Sequence, residues 1–168
     1  MNTSSSATNT QSQSESRRKP LCTLRVGSEV FGIDTADVQE ILREARPQAV
    51  PRAPEFVAGV LAYRGEVLLA ISLPALLGQP PAPRVPSAVV MKDSESGEIF
   101  ALLVDAVADV LDVDPNLWEA NPPTIDDRRK AIFCGVYRME QSHIVRLEPA
   151  QLQPSRLAQL FEAERGQR

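Results

Sequence analysis

From residue 21 onward, apolar and polar positions alternate in short runs that end at glycine, proline or clustered polar residues. Residues 21–26 alternate, Gly27-Ser28 is a turn signal, and 29–34 resume the alternation, which predicts a hairpin. Asp34, Thr35 and Asp37 then offer a helix start, with capping side chains and an acid in the first turn. Val38, Ile41 and Leu42 stand at i, i+3 and i+4, the spacing of one apolar helix face. Pro47, Pro51 and Pro54 keep the next stretch extended. Residues 56–61 and 67–71 predict two strands joined by a turn at Arg64-Gly65. The second run is apolar throughout, so both of its faces are expected to be buried. Ser72 caps a short helix with Pro74 in its first turn and Leu76 and Leu77 packed inward. Residues 78–86 form a proline-rich connector, too poor in N–H donors for a central strand.

The second half repeats the style. Residues 88–91 and 99–104 predict strands across a polar turn containing Gly97, and 105–113 continue with Val107, Val110, Leu111 and Val113 among Ala and Asp. Asp114-Pro115 opens a turn or short helical segment that carries Leu117 and Trp118. Residues 121–130 read as a polar loop, 131–137 and 143–147 as a last hairpin, and 152–164 as a closing helix with Leu157, Leu160 and Phe161 on one face. Strand-to-strand connections dominate and no βαβ alternation occurs. The pattern predicts a mainly β protein, two packed small barrels with a few short helices.

Composition narrows the chemistry. Apolar residues make up 43% of the 168-residue chain, enough for a core, but there are only two cysteines and one histidine. Cys22 and Cys134 lie far apart, each expected in a strand as apolar filling. A structural zinc site needs four ligands, usually in close pairs, and no metal or cofactor site is expected. Any Ser/His/Asp or Cys/His engine would have to use His143, which reads as a partly exposed strand residue.

Residues 1–19 lack a large apolar side chain after Met1 and are expected to be a disordered polar tail. Ordering on a partner is the alternative reading. The tail has no apolar segment of the kind a secretory signal carries, and no run approaches the ~20 apolar residues of a membrane span. A cytoplasmic protein with no direct membrane insertion is therefore expected. The formal net charge is −4; Glu15 against Arg17, Arg18 and Lys19 gives the tail +2, which leaves −6 on the body. An acidic body repels phosphate backbones, so no nucleic acid is expected as a partner. Asp105, Asp109, Asp112 and Asp114 lack the spacing of a calcium loop and read as a solvated edge that blunts strand pairing. Arg128-Arg129-Lys130 follows two aspartates and reads as a solvated loop. Arg64 stands apart. It sits at a turn before Gly65, between two apolar segments, where a rigid scaffold could present its fork of donors to a carboxylate on a partner.

Four stretches in order carry a resemblance. They are Gly32-Ile33-Asp34 with Val38-Gln39-Glu40-Ile41; Pro51, Pro54, Phe56 and Gly59-Val60 leading to Arg64-Gly65; Val104-Asp105 with Val107, Asp109-Val110 and Leu111; and Gly135 with Leu147. Over roughly residues 21–161 the chain resembles the CheW-like family, the coupling proteins of bacterial chemotaxis. The resemblance implies two five-stranded SH3-like barrels around a shared core, the second roughly at 87–147. It implies a non-catalytic adaptor that works at membrane receptor arrays. The implied partners are the regulatory domain of a CheA-type histidine kinase and the cytoplasmic tip of methyl-accepting chemoreceptors. Carried over by position, Val38, Glu40 and Arg64 match docking residues, and Gly59 and Gly65 shape the turn. Ala88 and Val89 match the strand that lines the groove between barrels, and Val107 the strand facing it. Ala62, Leu69 and Ser72 depart from the family's usual Asn, Pro and Asp, and losing the Asn and Asp removes polar side chains that could brace the turn bearing Arg64. An array scaffold without kinase activation is the alternative within the family. A β-barrel module for nucleic acid is the alternative outside it, and it lacks the basic groove and stacking aromatics. An enzyme is the third option and would rest on His143.

Overall fold

The computed structural model describes residues 17–167. Most of the expected disordered tail, 1–16, lies outside the described residues, but Lys19 already belongs to the first strand. β1 (Lys19–Val26) and β2 (Glu29–Asp34) form the predicted hairpin, with Gly27 at φ 58° in its turn. Asp34 accepts from the Ala36 amide and caps only a single 3-10 turn, Thr35–Asp37. The expected helix after it is a strand, β3 (Val38–Leu42). A bulge between Val38 and Glu40 breaks the period-two pattern there, which left a spacing that imitates a helix face.

β4 (Val57–Tyr63) and β5 (Glu66–Ser72) flank the two-residue turn Arg64-Gly65. Ser72 accepts from the Ala75 amide and caps α1 (Leu73–Leu76), as expected. The connector leads to β6 (Ser87–Lys92), β7 (Ile99–Val104) and β8 (Ala106–Val113). After a 3-10 turn at Pro115–Leu117 comes the two-residue strand β9 (Trp118–Glu119). Arg128, Arg129 and Lys130 are not in a loop. They lie on α2 (Asp127–Ile132), which Asp126 caps through the Arg129 amide. Arg128 pairs with Glu164 at 2.9 Å and Arg129 with Glu29 at 3.1 Å, so the cluster ties three parts of the chain together. The last hairpin is shorter than expected, β10 (Gly135–Arg138) with β11 (His143–Arg146), because α2 takes residues 131 and 132. This leaves Cys134 between helix and strand rather than in a strand. The closing helix is split by Gln153 into α3 (Pro149–Leu152) and α4 (Pro154–Gly166).

Two sheets result. One has the order β8-β1-β2-β11-β10-β9 and the other β3-β6-β7-β5-β4. The mainly β class holds, with six strands rather than five in the first sheet. The sheets share the chain differently from the expected boundary at 87. The five-stranded sheet uses one continuous span, while the six-stranded sheet draws on both ends, joined where β2 runs parallel to β11. β8 is an edge strand, as its aspartates suggested, and Thr23 donates to the Asp109 carbonyl at its bulge.

Burial explains the assembly. Along β6 and β7, Val89, Met91, Phe100, Leu102 and Val104 point to one cluster together with Leu24, Phe31 and Ile33 of the other sheet. The alternate residues Ala88, Ala101 and Leu103 meet Leu61 and Ala70 inside the curl of their own sheet. Both strands are therefore buried on both faces. Small alanines on the inner face let that sheet curl tightly. Its edges meet where Gln48 forms a two-way backbone bridge to Val60, with N–H to O distances of 2.8 and 2.9 Å. Gly59 makes this seam possible. It stands at φ 148°, and a Cβ there would lie 2.2 Å from the Gln48 carbonyl oxygen.

Replacing Gly59 with Ala is expected to destabilise the protein by about 2–4 kcal/mol, read as a lowered urea midpoint. An unchanged midpoint would show that the seam tolerates the clash. Asp93 supplies a second test. It is buried at the β6–β7 turn and accepts from the Ser96 amide and from Gln153. Its carboxyl is held below the ordinary range, first by the Ser96 side chain and then by the Ser96 amide. A depressed pKa adds stability above the unfolded value of about 3.9, and that stability fades as pH falls through the folded value. The Asp93→Asn protein is thus expected to be less stable than the parent at pH 7, with the gap closing below about pH 4 in paired thermal melts.

Candidate docking site

The tip of the β4–β5 hairpin carries the site. Arg64 and Gly65 both have positive φ, 48° and 79°, the backbone of a tight hairpin turn with right-handed twist. Gly65 meets nothing where a Cβ would be, so its requirement is conformational. A non-glycine residue at positive φ is uncommon, and Arg64 is held there by strand pairing on both sides.

β3 and β4 stand at opposite ends of the sheet order, yet the curl brings Glu40 to Arg64. Arg64 Nη2 lies 3.2 Å from Glu40 Oε2 and is not aligned as a hydrogen bond, so the contact is an ion pair. The guanidinium also stands 5.2 Å from the Tyr63 ring centroid. The Tyr63 phenol is pushed up, first by partial burial and then by the Glu40 carboxylate, so it stays protonated. Glu40 and Tyr63 thus brace Arg64 where the usual asparagine is absent and Ala62 stands instead. The Arg64 side chain remains 73% exposed, which leaves donors available for a partner.

Beside this tip, the expectation for β5 fails in an informative way. Val67 and Leu69 share the face of Ile71, which lies in the core between the sheets, but Val67 is 72% exposed and Leu69 39%. The hairpin runs past the sheet that covers Ile71. Val60 and Ala62 face Leu69 and Val67 across the ladder and continue the same strip. The sequence shows an apolar run there but not where its cover ends.

The remaining expected residues divide. Val38 and Val107 are half-buried and pack against the core between the sheets, at its rim. Ala88 and Val89 are fully buried, Ala88 inside the curl and Val89 between the sheets, so a partner cannot touch them in this conformation. Their side chains form no part of the described surface. Gly59 acts at the seam, behind the hairpin. The structure brings Glu40 and Arg64 together beside Gly65, and does not gather the other five residues there: Val38 and Val107 lie at the rim of the core, Ala88 and Val89 are buried and Gly59 is at the seam. Val67 and Leu69 are candidate site residues that the sequence reading did not single out, because it expected them to be buried. His143 is exposed, and among the described residues no group of three or more His, Cys, Asp or Glu is placed to hold a metal.

Comparison with known proteins agrees with this architecture. The CheW-like domain pattern matches residues 20–156. A chemotaxis protein CheW of Rhizobium meliloti is 30% identical over 137 residues, which cover 82% of this chain and 88% of that protein. A probable chemotaxis protein CheW of Rhizobium etli is 29% identical over 130 residues, 77% of this chain and 84% of that protein. In three dimensions the chain is similar to the crystal structure of the scaffolding protein TtCheW of Thermoanaerobacter tengcongensis. The TM-score is 0.69 at 24% identity, over 78% of this chain and 89% of that one. With the family pattern spanning both sheets and the hairpin that carries Arg64, the chain belongs to the CheW-like family.

Proposed function

We propose that this protein is a non-catalytic adaptor that couples methyl-accepting chemoreceptors to a CheA-type histidine kinase in chemotaxis-type signal transduction, with the β4–β5 hairpin as a docking surface. The family and the relatives named for chemotaxis support the general role. One observation supports the surface: the core face that holds Ile71 continues uncovered through Leu69 and Val67 to an exposed arginine. A partner seated there would extend an existing apolar core and meet a cation at its edge. Transient interfaces draw most of their energy from a few such anchors.

Arg64 suits the role because its own end of the ion pair is mostly exposed and screened by water, so the guanidinium can turn to a partner carboxylate, whereas Glu40 Oε2 is shielded from solvent. The partners are the receptor's cytoplasmic tip and the kinase's regulatory domain, which places the protein in the cytoplasm beside membrane-bound arrays. Among the described residues no helix is long and apolar enough to cross a membrane. A scaffold that occupies arrays without activating kinase uses the same surface, and the departures at Ala62, Leu69 and Ser72 favour keeping that reading in view.

The test separates binding from folding. Arg64→Glu and Val67→Asp are each expected to keep the unfolding free energy within about 1 kcal/mol of the parent. Retention on immobilised receptor fragments or on the kinase regulatory domain is expected to fall at least about tenfold. Undiminished retention of both folded variants on both partners would refute the docking surface. Reconstitution of receptor, kinase and this protein, with autophosphorylation as the readout, distinguishes coupling from passive scaffolding.

A further inference from the structure

On the other sheet lies a cleft of about 480 Å³ that no residue of the hairpin lines. Lys19, Trp118, Cys134, Tyr137, Arg146 and Glu148 line it. Its size falls within the range of small-molecule sites, and two aromatic rings supply its apolar wall. Trp118 and Tyr137 meet edge to face at 5.0 Å between centroids. The indole is fixed because Gly135 lies under it; a Cβ there would come within 2.3 Å of the ring. The wall is therefore rigid before any ligand arrives.

Arg146 is the unusual group. Its side chain is only 8% exposed, yet among the described residues its one hydrogen bond runs from Nε to the Leu147 carbonyl at 3.3 Å. Asp34 and Glu148 stand 3.9 and 3.7 Å from Nη2, near enough to offset its charge and too far to accept hydrogen bonds. A guanidinium carries five N–H donors, and those of Arg146 are not among the described atoms that are both shielded from solvent and unpaired. Among the described residues its Nη donors thus border the cleft with no hydrogen-bond acceptor. Glu148 is engaged elsewhere too: it stands beside the Cys134 thiol, which burial first and this carboxylate second push up to about 11. A neutral thiol adds no charge of its own. Lys19 brings a second cation to the rim.

We infer that this cleft binds a small aromatic monocarboxylate, its ring against Trp118 and Tyr137 and its carboxylate on Arg146, with Lys19 at the mouth. A planar carboxylate matches the fork of a guanidinium in two parallel hydrogen bonds. Asp34 and Glu148, with Asp37 also in electrostatic range of Arg146, repel any anion, and a dianion such as a phosphate monoester about twice as strongly as a carboxylate, which favours the single charge. The site is independent of the hairpin, so it stands or falls apart from the adaptor reading.

Trp118 is the chain's only tryptophan, so its fluorescence reports on the cleft directly. The full chain is titrated with phenylacetate, phenylacetamide and phenyl phosphate. Phenylacetate is expected to give a saturable change with a dissociation constant on the order of 1 mM or below, at least about tenfold tighter than the other two. Lys19→Glu, an exposed change, is expected to weaken it several-fold, and Arg146→Gln to abolish it in protein shown to be folded by circular dichroism. No saturation below about 10 mM, an equal response to phenylacetamide, or undiminished affinity in Lys19→Glu would each overturn the site. Tighter binding of phenyl phosphate would overturn the monocarboxylate assignment.

Discussion

One apolar cluster holds the molecule together, and it lies between the sheets rather than inside either. Leu24, Phe31 and Ile33 come from one side, Ile71, Val89, Leu102 and Val104 from the other, and the helices add Leu76, Leu152 and Leu157. Neither sheet can lose this contact and keep its shape. The period-two alternation of β6 and β7 sends every second residue into the cluster and the rest into the curl. The size difference between the two sets matters. Bulky residues fill the space between the sheets, whereas alanines at 70, 88 and 101 line the inside of the five-stranded curl. Larger side chains there would open the curl and pull its seam apart.

The proposed docking surface follows from that seam. Because the curl closes through Gln48 and Val60, Glu40 at one edge comes within ion-pairing distance of Arg64 at the other. The hairpin that bears Arg64 extends past the cover of the second sheet, so a strip chemically continuous with the core stays open. The apolar strip and the cation beside it thus have one cause, the reach of a hairpin that is longer than the sheet it packs on.

Local chemistry was legible in the sequence wherever a single residue type decides the backbone. The Gly27-Ser28 turn, the Arg64-Gly65 turn, the Ser72 cap and the proline connector all read correctly because each depends on neighbours in the chain. Failures came where distant partners decide. A bulge made Val38, Ile41 and Leu42 imitate a helix, and only pairing with β6 shows them to be a strand. Residues 67–71 looked buried because apolarity reveals what a face prefers, not how far its cover extends. Asp126 was read as part of a loop, although it stands three residues before Arg129 and caps α2. For the site, the turn before Gly65 singled out Arg64, and the family resemblance supplied Glu40 as a separate position. Their contact is a product of closure, which no local pattern records. The same resemblance supplied Ala88 and Val89, and only burial shows that these form no part of the described surface.

The unequal sharing of the chain has a consequence for synthesis on the ribosome. The five-stranded sheet comes from one uninterrupted stretch and has all its strands once Val104 has emerged. The six-stranded sheet opens the chain with β1 and β2 but lacks its parallel partner β11 until Arg146 is made. Throughout that interval the early hairpin has Leu24, Phe31 and Ile33 on one side and Leu21 on the other, all destined for burial. The inserted sheet is what covers the first of these sides, so the middle of the chain shelters its beginning while the end is still being translated.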